Sequence, residues 1–442
     1  MLSSDTDKIS KVINGQSSSN KAVKFKGVCT DTRSVVSEKL FIALEGGNFD
    51  GHDFIQQAED LGASAVISHK KIHSNLPIIE VSNSEIAYQK LAAWHRQSYS
   101  PVVIAITGSN GKTSTKNMLH SILSLHGPTL STKGNLNNHL GVPKTLLKLE
   151  KNHQYCIVEM GANHVNEIEL LCSLARPDIA IITNANNAHL GEFGSEARLV
   201  KAKGEILESL SENGTAIINK SSPHVDTWKK MSNAKTLTFF GNESDIYASD
   251  IKQTNSTLNF KLNFNLSSIN ITLSMIGLHQ IDNALAASAC AIKLGISPQL
   301  IKKGLEDSLC EKGRLELVEL QNFTILDDSY NANPQSTKVA IDSLKNFPGK
   351  KVLVLGSMAE LGKNSKKLHQ EIGDYAREAN IDSLLTIGQE AKDFKGNHFD
   401  NIDSILNELN TKYKGATILI KGSRMMKLNK LVDILINTSN SS

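Results

Sequence analysis

Residues 101–116 read PVVIAITGSNGKTSTK, an apolar run that empties into a polar loop holding two glycines and then into helix-compatible sequence. Val102 to Ile106 has the continuous β-branched character of a parallel strand buried on both faces. Thr113 to Leu125 carries Met118, Leu119, Ile122 and Leu123 at helical spacing, and Gly127 ends it. The order is strand, glycine loop, helix. Glycines let backbone N–H groups curl around an anion, the helix N-terminus adds partial positive charge, Lys112 can reach the β and γ phosphates, and Thr113 can ligate magnesium. A strict phosphate-loop pattern places four residues between its first glycine and the GKT, whereas only Ser109 and Asn110 separate Gly108 from Gly111. The flanking strand and helix keep the phosphate-binding reading, and the short loop narrows the choice of family.

Outward from this loop the chain divides into three segments. Residues 1–100 carry strand-like KLFIAL, ASAVIS and LPIIEVS with helical DFIQQAEDLG and EIAYQKLAAWHRQ, a small α/β domain. Residues 101–312 continue with YCIVEMGA, IAIITNA and GTAIINK separated by helix-like stretches such as ARLVKAKGEILESL, a doubly wound, mainly parallel sheet. Within it, Ile246 to Ile276 alternates strictly, as in STLNFKLNFNLSSINITLSM, and predicts half-buried antiparallel strands forming a β-rich edge. Helical IDNALAASACAIKLG follows. Residues 313–442 offer FTILDDS, KKVLVLG, SLLTIG and ATILIKGS alternating with helices, a second open, Rossmann-like α/β sheet.

With 442 residues, three domains are expected at about 150 residues each. A net charge of +3 argues against nucleic acid or an anionic membrane as the main partner. The N-terminal MLSSDTDKISKVING lacks an apolar signal core, and no apolar run approaches the roughly 20 residues of a bilayer span, so a cytoplasmic protein is expected. Cys29, Cys156, Cys172, Cys290 and Cys310 form no CxxC pair and read as reduced thiols.

Further candidates lie at strand ends, the ligand edge of a doubly wound sheet. Glu159 closes YCIVEMGA and suits a magnesium ion; a solvated strand-end glutamate is the plainer alternative. His189 sits in the polar loop ITNANNAHLGEFGS, where an ordinary loop histidine is the alternative. Lys203 in KAKGEI reads, on its own, as a helix-surface lysine paired with Glu205 or Glu208.

Many separate motifs, in order, resemble one family: TDTRSV with LFIALEGGNFDGHDF, TGSNGKTSTK, NLNNHLGVPKTLL, VEMGANHVNEI, ITNANNAHLGEFGS with KAKGEI, GLHQIDNALAA, GRLE, DDSYNANPQS, LGSMAELG and KGSR. They are similar to those of the ATP-dependent Mur ligases of bacterial cell-wall synthesis, over nearly the full length, and within that family to the branch that adds D-alanyl-D-alanine. The resemblance implies a ligase joining UDP-N-acetylmuramoyl-tripeptide to D-Ala-D-Ala, with ATP cleaved to ADP and phosphate through an acyl phosphate. It implies a monomer acting in the cytoplasmic stage of peptidoglycan synthesis.

Residue by residue, the resemblance makes Lys112 and the amides of Asn110 to Thr113 the phosphate cradle, within an ATP loop of Thr107, Gly108, Ser109, Asn110, Gly111, Lys112, Thr113 and Ser114. It puts Thr113 and Glu159 on a first magnesium ion and His189 on a second, with Lys203 N-carbamylated as an anionic ligand. Asn283 is implied as an adenine contact, Arg314 as a phosphate-side cation, Asp328 as a ribose partner, and Asn331 and Asn333 as facing the nucleotide and the incoming dipeptide. Asn137 and Asn138 are implied near the acceptor and γ phosphate. Thr32, Arg33, Asn48, Asp50 and His52 are implied as uridine and diphosphate contacts. Lys112, His189, Lys203 and Arg314 carry the catalytic expectation.

Three places depart from the family pattern. Ser357 stands where an acid is usual, Gln280 follows His279 where an asparagine is usual, and KGSRMMKLNK lacks a following acid. Ser357 and Arg424 are therefore only candidate acceptor-side residues. Two alternatives stay open at this stage: the sister ligase that adds the third amino acid, and a regulatory protein that binds ATP without ligating anything.

Overall fold

A computed structural model describes residues 2–34, 36–47, 49–185 and 193–439. Its centre is a six-stranded, all-parallel sheet in the order Thr129–Ser131, Tyr155–Glu159, Val102–Thr107, Ile179–Ile182, Thr215–Asn219, Thr236–Phe240. Strand Val102–Thr107 lies in the middle, with Ile104 in register with both Ile157 and Ile179. Alternate residues feed two cores. Val103, Ala105, Cys156, Val158, Ala180 and Ile182 face one side, while Ile104, Ile106, Ile157, Ile179 and Ile181 face the other. Each buried isoleucine contributes about 1.5–3 kcal/mol, so a strand apolar on both faces belongs in the interior.

Helix Lys112–Ser124 leaves the central strand through Gly111, whose φ of 81° is a left-handed conformation that favours glycine. This helix packs on helices His279–Lys293 and Pro298–Glu306. The alternating segment forms a separate three-stranded antiparallel sheet, Ile246–Gln253, Leu258–Phe264 and Ser267–Leu273, in which Leu258, Phe260, Leu262 and Phe264 turn inward. Alternation in the sequence thus reports one buried face, as expected.

The N-terminal sheet has five strands, ordered Gln16–Ser17, Ile78–Glu80, Ala65–Ser68, Leu40–Ile42, Val28–Cys29, parallel except for the first pair. Its helix Ser84–Gln97 packs on helices Gly141–Leu146 and Glu167–Ala175 of the central layer. His95 Nε2 meets the Leu149 carbonyl at 3.0 Å, and Arg96 Nε donates to the Ala175 carbonyl at 2.9 Å. One apolar cluster runs unbroken from Leu2, Ile9 and Leu40 through Tyr88 and Leu91 to Val103, Leu146 and Ile168.

The C-terminal sheet has six strands, ordered Glu316–Glu319, Thr324–Asp328, Thr417–Lys421, Lys351–Gly356, Ser383–Ile387, Asn397–Phe399, parallel except for the first pair. Its two cores are its own, Ile276 apart. It meets the central unit through polar pairs, including Asn333 Nδ2 donating to Asn110 Oδ1 at 2.9 Å.

Candidate active site

Three parallel strands end at one edge of the central sheet, and their C-terminal residues build the floor of a cleft of about 800 Å³. From strand Val102–Thr107 comes the loop Gly108–Gly111. A Cβ on Gly111 would lie 2.2 Å from Asn283 Oδ1, so the loop fits only with glycine there. Thr107 and Gly108 lie behind the lining: Thr107 Oγ1 donates to the Met160 carbonyl at 2.8 Å. Ser109, Asn110, Gly111, Lys112, Thr113 and Ser114 line the cleft.

The next strand shapes the loop. Ser109 N donates to the Asn184 carbonyl at 3.0 Å and Asn110 N to Asn184 Oδ1 at 3.0 Å, while Asn184 Nδ2 and Thr183 Oγ1 donate to the Asn110 carbonyl at 3.1 and 2.6 Å. The Asn110 amide, expected in the cradle, is thus spent on Asn184. The amides at Gly111, Lys112 and Thr113 are those left to head the helix. Lys112 Nζ folds back, 3.3 Å from the Ser109 carbonyl. Burial lowers its ammonium pKa, which the Glu159 carboxylate partly opposes.

Glu159 is 2 % exposed. Its Oε1 accepts from Asn137 Nδ2 at 2.8 Å, whereas Oε2 is buried with no hydrogen-bond partner. An orphaned carboxylate oxygen at the cleft wall, beside the Thr113 hydroxyl's loop, fits a magnesium ion, which takes hard oxygen ligands. Among the described residues no three His, Cys, Asp or Glu side chains converge as a metal cage. His189 lies outside the described residues, as does Asn48.

Lys203, in helix Glu196–Glu208, is 2 % exposed and lines the same cleft. Its Nζ stands 3.5 Å from the Ala162 carbonyl and 5.5 Å from the Phe193 ring centre. Burial, then the Lys112 charge, pushes its ammonium down to about 7. The surface pairing with Glu205 or Glu208 is absent among the described contacts. Glu205 instead accepts from the Asn166 and Glu169 amides at 2.6 and 3.2 Å, at the N-terminus of helix Glu167–Ala175.

The C-terminal unit reaches across. Arg314 donates through Nη2 to Thr113 Oγ1 at 3.0 Å, and its guanidinium lies 4.1 Å from the Tyr330 ring centre. Asn333 Nδ2 donates to Asn110 Oδ1 at 2.9 Å, while its own Oδ1 caps helix Pro334–Lys345. Asp328 Oδ2 pairs with Lys421 Nζ at 2.6 Å, and Lys421 also donates to the Asn331 carbonyl at 2.7 Å. Burial raises the Asp328 carboxyl, against the pull of Lys421. Asn283 is buried, with Nδ2 donating to Gln280 Oε1 at 2.9 Å. Asn137, Asn138, Asn283, Asp328 and Asn331 all line the cleft.

Besides Thr107 and Gly108, six expected residues do not line it. Thr32 donates to Gln57 Oε1 at 2.8 Å, and exposed Arg33 forks onto Asp31 through Nε and Nη2 at 2.9 and 2.7 Å. Asp50 holds Lys70 and His52, and the Lys70 contact keeps its carboxyl well below the usual range. All four belong to the N-terminal unit but lie off its five-stranded sheet, Asp50 on the two-stranded ribbon Glu45–Gly46 and Phe49–Asp50. Ser357 is turned inward, accepting from the Ala391 amide at 3.1 Å, and Arg424 is exposed with its guanidinium 5.4 Å from the Tyr330 ring centre. Sequence reasoning missed Asn184, Lys421 and Tyr330, although TNA, KGSR and DDSYNANP contain them. A polar residue at the C-terminal end of each parallel strand was the available signal.

Three Mur ligase family profiles match: the catalytic domain profile at 24–102, the middle domain at 106–291 and the glutamate ligase domain at 313–424. A UDP-N-acetylmuramoyl-tripeptide--D-alanyl-D-alanine ligase of Buchnera aphidicola is 42 % identical, with 94 % of this chain and 93 % of the relative covered. The chain belongs to the Mur ligase family. An Escherichia coli Mur ligase of the same name is 38 % identical over 98 % of this chain and 99 % of the relative. A crystal structure of the Mur ligase MurF from Acinetobacter baumannii superposes with a TM-score of 0.93 at 34 % identity, covering 99 % of each chain. MurF from Thermotoga maritima in complex with ADP gives 0.85 at 28 % identity, over 94 % of this chain and 98 % of that one.

Proposed function

We propose that this Mur ligase joins UDP-N-acetylmuramoyl-tripeptide to D-alanyl-D-alanine, with ATP cleaved to ADP and phosphate. The observation that carries this reading is the end-to-end match, N-terminal sheet included, to ligases bearing that name. The cleft supports the chemistry. Carboxylates are poor electrophiles, so the tripeptide carboxylate first attacks the γ phosphorus and the bond to the ADP oxygen breaks. The dipeptide amine then attacks the acyl carbon, loses a proton, and phosphate leaves.

In this reading the amides of Gly111, Lys112 and Thr113 and the Lys112 ammonium hold the β and γ phosphates. Thr113 and Glu159 would hold the first magnesium ion and His189 the second, and bound magnesium would supply positive charge against the triphosphate. Arg314 moves from the Thr113 hydroxyl toward developing phosphate charge, with Asn333 and Asp328 completing the nucleotide side from the C-terminal unit. Lys203 adds through its amine to carbon dioxide, loses a proton and becomes a carbamate. Its burial without a carboxylate partner among the described residues supports this, because an uncompensated buried ammonium is costly.

Asn283 faces adenine, Asn137 and Asn138 lie near the acceptor and the γ phosphate, and Thr32, Arg33, Asp50 and His52 serve the uridine diphosphate. Functional boundaries fall near residues 100 and 312, and the protein acts as a cytoplasmic monomer. The test is phosphate release with UDP-N-acetylmuramoyl-tripeptide and ATP. D-Ala-D-Ala is expected to stimulate release, and stimulation by a single L-amino acid but not the dipeptide overturns the reading in favour of the sister ligase.

A further inference from the structure

Behind Glu159 lies a cation that the proposed chemistry does not use. Lys116, one turn into helix Lys112–Ser124, is 2 % exposed. Its Nζ donates to the Thr132 carbonyl at 2.8 Å and stands 3.9 Å from Glu159 Oε2. The Thr132 hydroxyl accepts from the Glu159 amide at 3.0 Å, so one residue braces both members of the pair. Among the described residues, Lys116 is the only cation within ion-pair distance of that carboxylate. At 3.9 Å it supplies charge without a hydrogen bond, so Oε2 keeps no donor of its own. Lys116 also borders a second cavity of about 820 Å³, shared with Thr132.

We propose that Lys116 is a positioning residue: it is the resident counter-ion of Glu159 in the metal-free protein and sets how tightly a divalent cation is held there. This rests on the reading of Glu159 as a metal carboxylate. A divalent ion arriving at Oε2 both competes with the lysine for the carboxylate and is repelled by it. Neutralising Lys116 therefore tightens metal binding.

The test titrates the full-length protein with Mn²⁺, with and without ADP, and reads bound metal by electron paramagnetic resonance. Lys116→Gln keeps a donor for the Thr132 carbonyl and removes the charge. Its Mn²⁺ dissociation constant is expected to fall at least about tenfold, the size of a unit-charge repulsion on a divalent ion about 6 Å away even in a water-like dielectric. Lys116→Arg is expected to stay within about twofold of the parent. A Lys116→Gln constant equal to or weaker than the parent's overturns the inference. Glu159→Gln separates the two ideas: if it binds Mn²⁺ as the parent does, the metal reading of Glu159 itself fails. Should Lys116→Gln not melt cooperatively, the Lys116→Gln/Glu159→Gln pair carries the test, since removing both charges together should restore part of the lost melting temperature. No restoration counts against the counter-ion role.

Discussion

Replacing Asp328 with asparagine should destabilise the C-terminal unit by about 3 kcal/mol, and the ion pair with Lys421 explains why. The Lys421 side chain is 2 % exposed and Asp328 is 13 % exposed, with 2.6 Å between Nζ and Oδ2. Asparagine matches aspartate in volume, so no cavity opens and the effect isolates charge. Losing one member of a buried pair costs about 3–5 kcal/mol because the other is left uncompensated. The low end applies here, since the Asn331 carbonyl still accepts from Lys421 at 2.7 Å. At about 4 °C per kcal/mol for a unit of this size, the transition that unfolds the C-terminal sheet should fall by roughly 12 °C. Differential scanning calorimetry without nucleotide reads this directly. Lys421→Met should cost about 2 kcal/mol, since the aspartate it strands is the more exposed partner, and the double variant should cost less than the sum. A single Asp328→Asn variant melting within about 2 °C of the parent would refute the argument that this pair is energetically coupled.

Gly111→Ala forces a φ of 81° on alanine and drives a Cβ to 2.2 Å from Asn283 Oδ1, so ATP affinity measured with a fluorescent analogue should drop at least about tenfold. Unchanged affinity would mean the loop tolerates another shape. Lys203→Ala is expected to abolish ligation while the melting curve is retained, and full activity at ambient carbon dioxide would sink the carbamate assignment. His279 is held down to about 4 by burial and by the Lys421 charge, against an ordinary 6.5, with Nδ1 closed off and unpartnered. A depressed histidine binds fewer protons when folded, so its contribution is whole above pH 6.5 and lost as pH falls toward 4. The full shift corresponds to about 3 kcal/mol, trimmed to roughly 2 by partial exposure. Urea melts of His279→Gln should show a flatter acid limb, and an identical limb would contradict it.

The parallel strands and the loop were readable because their signals are local and redundant. PVVIAIT can hardly be anything but a two-sided strand, and the observed strand and helix bounds, Val102–Thr107 and Lys112–Ser124, fall within a residue or two of those expected. The alternating 246–276 stretch was equally plain. Short strands such as Ser3–Asp5 and Val28–Cys29 were invisible, because two or three residues carry no period. In the cleft, Glu159 and Lys203 were legible as residues but not as environments. Only the fold shows that Glu205 turns away to cap a neighbouring helix and that Lys203 is left buried. The Asn184 clamp was missed for the same reason: a loop's internal hydrogen bonds join positions about 74 residues apart.

The apolar seam that joins the N-terminal and central layers has a bearing on how such chains can be recombined. A graft of another relative's N-terminal unit at Pro101 would cut through one continuous core, from Leu40 and Tyr88 to Val103 and Leu146, and every mismatched methyl would be felt on both sides. A graft at Gly313 would cross little besides polar pairs, Arg314 to Thr113 and Asn333 to Asn110 among them. Sequence drift in the C-terminal unit is therefore decoupled from the rest of the molecule. The unit that carries Arg314 and Asn333 has more freedom to change than the one whose core is continuous with Val103 and Leu146.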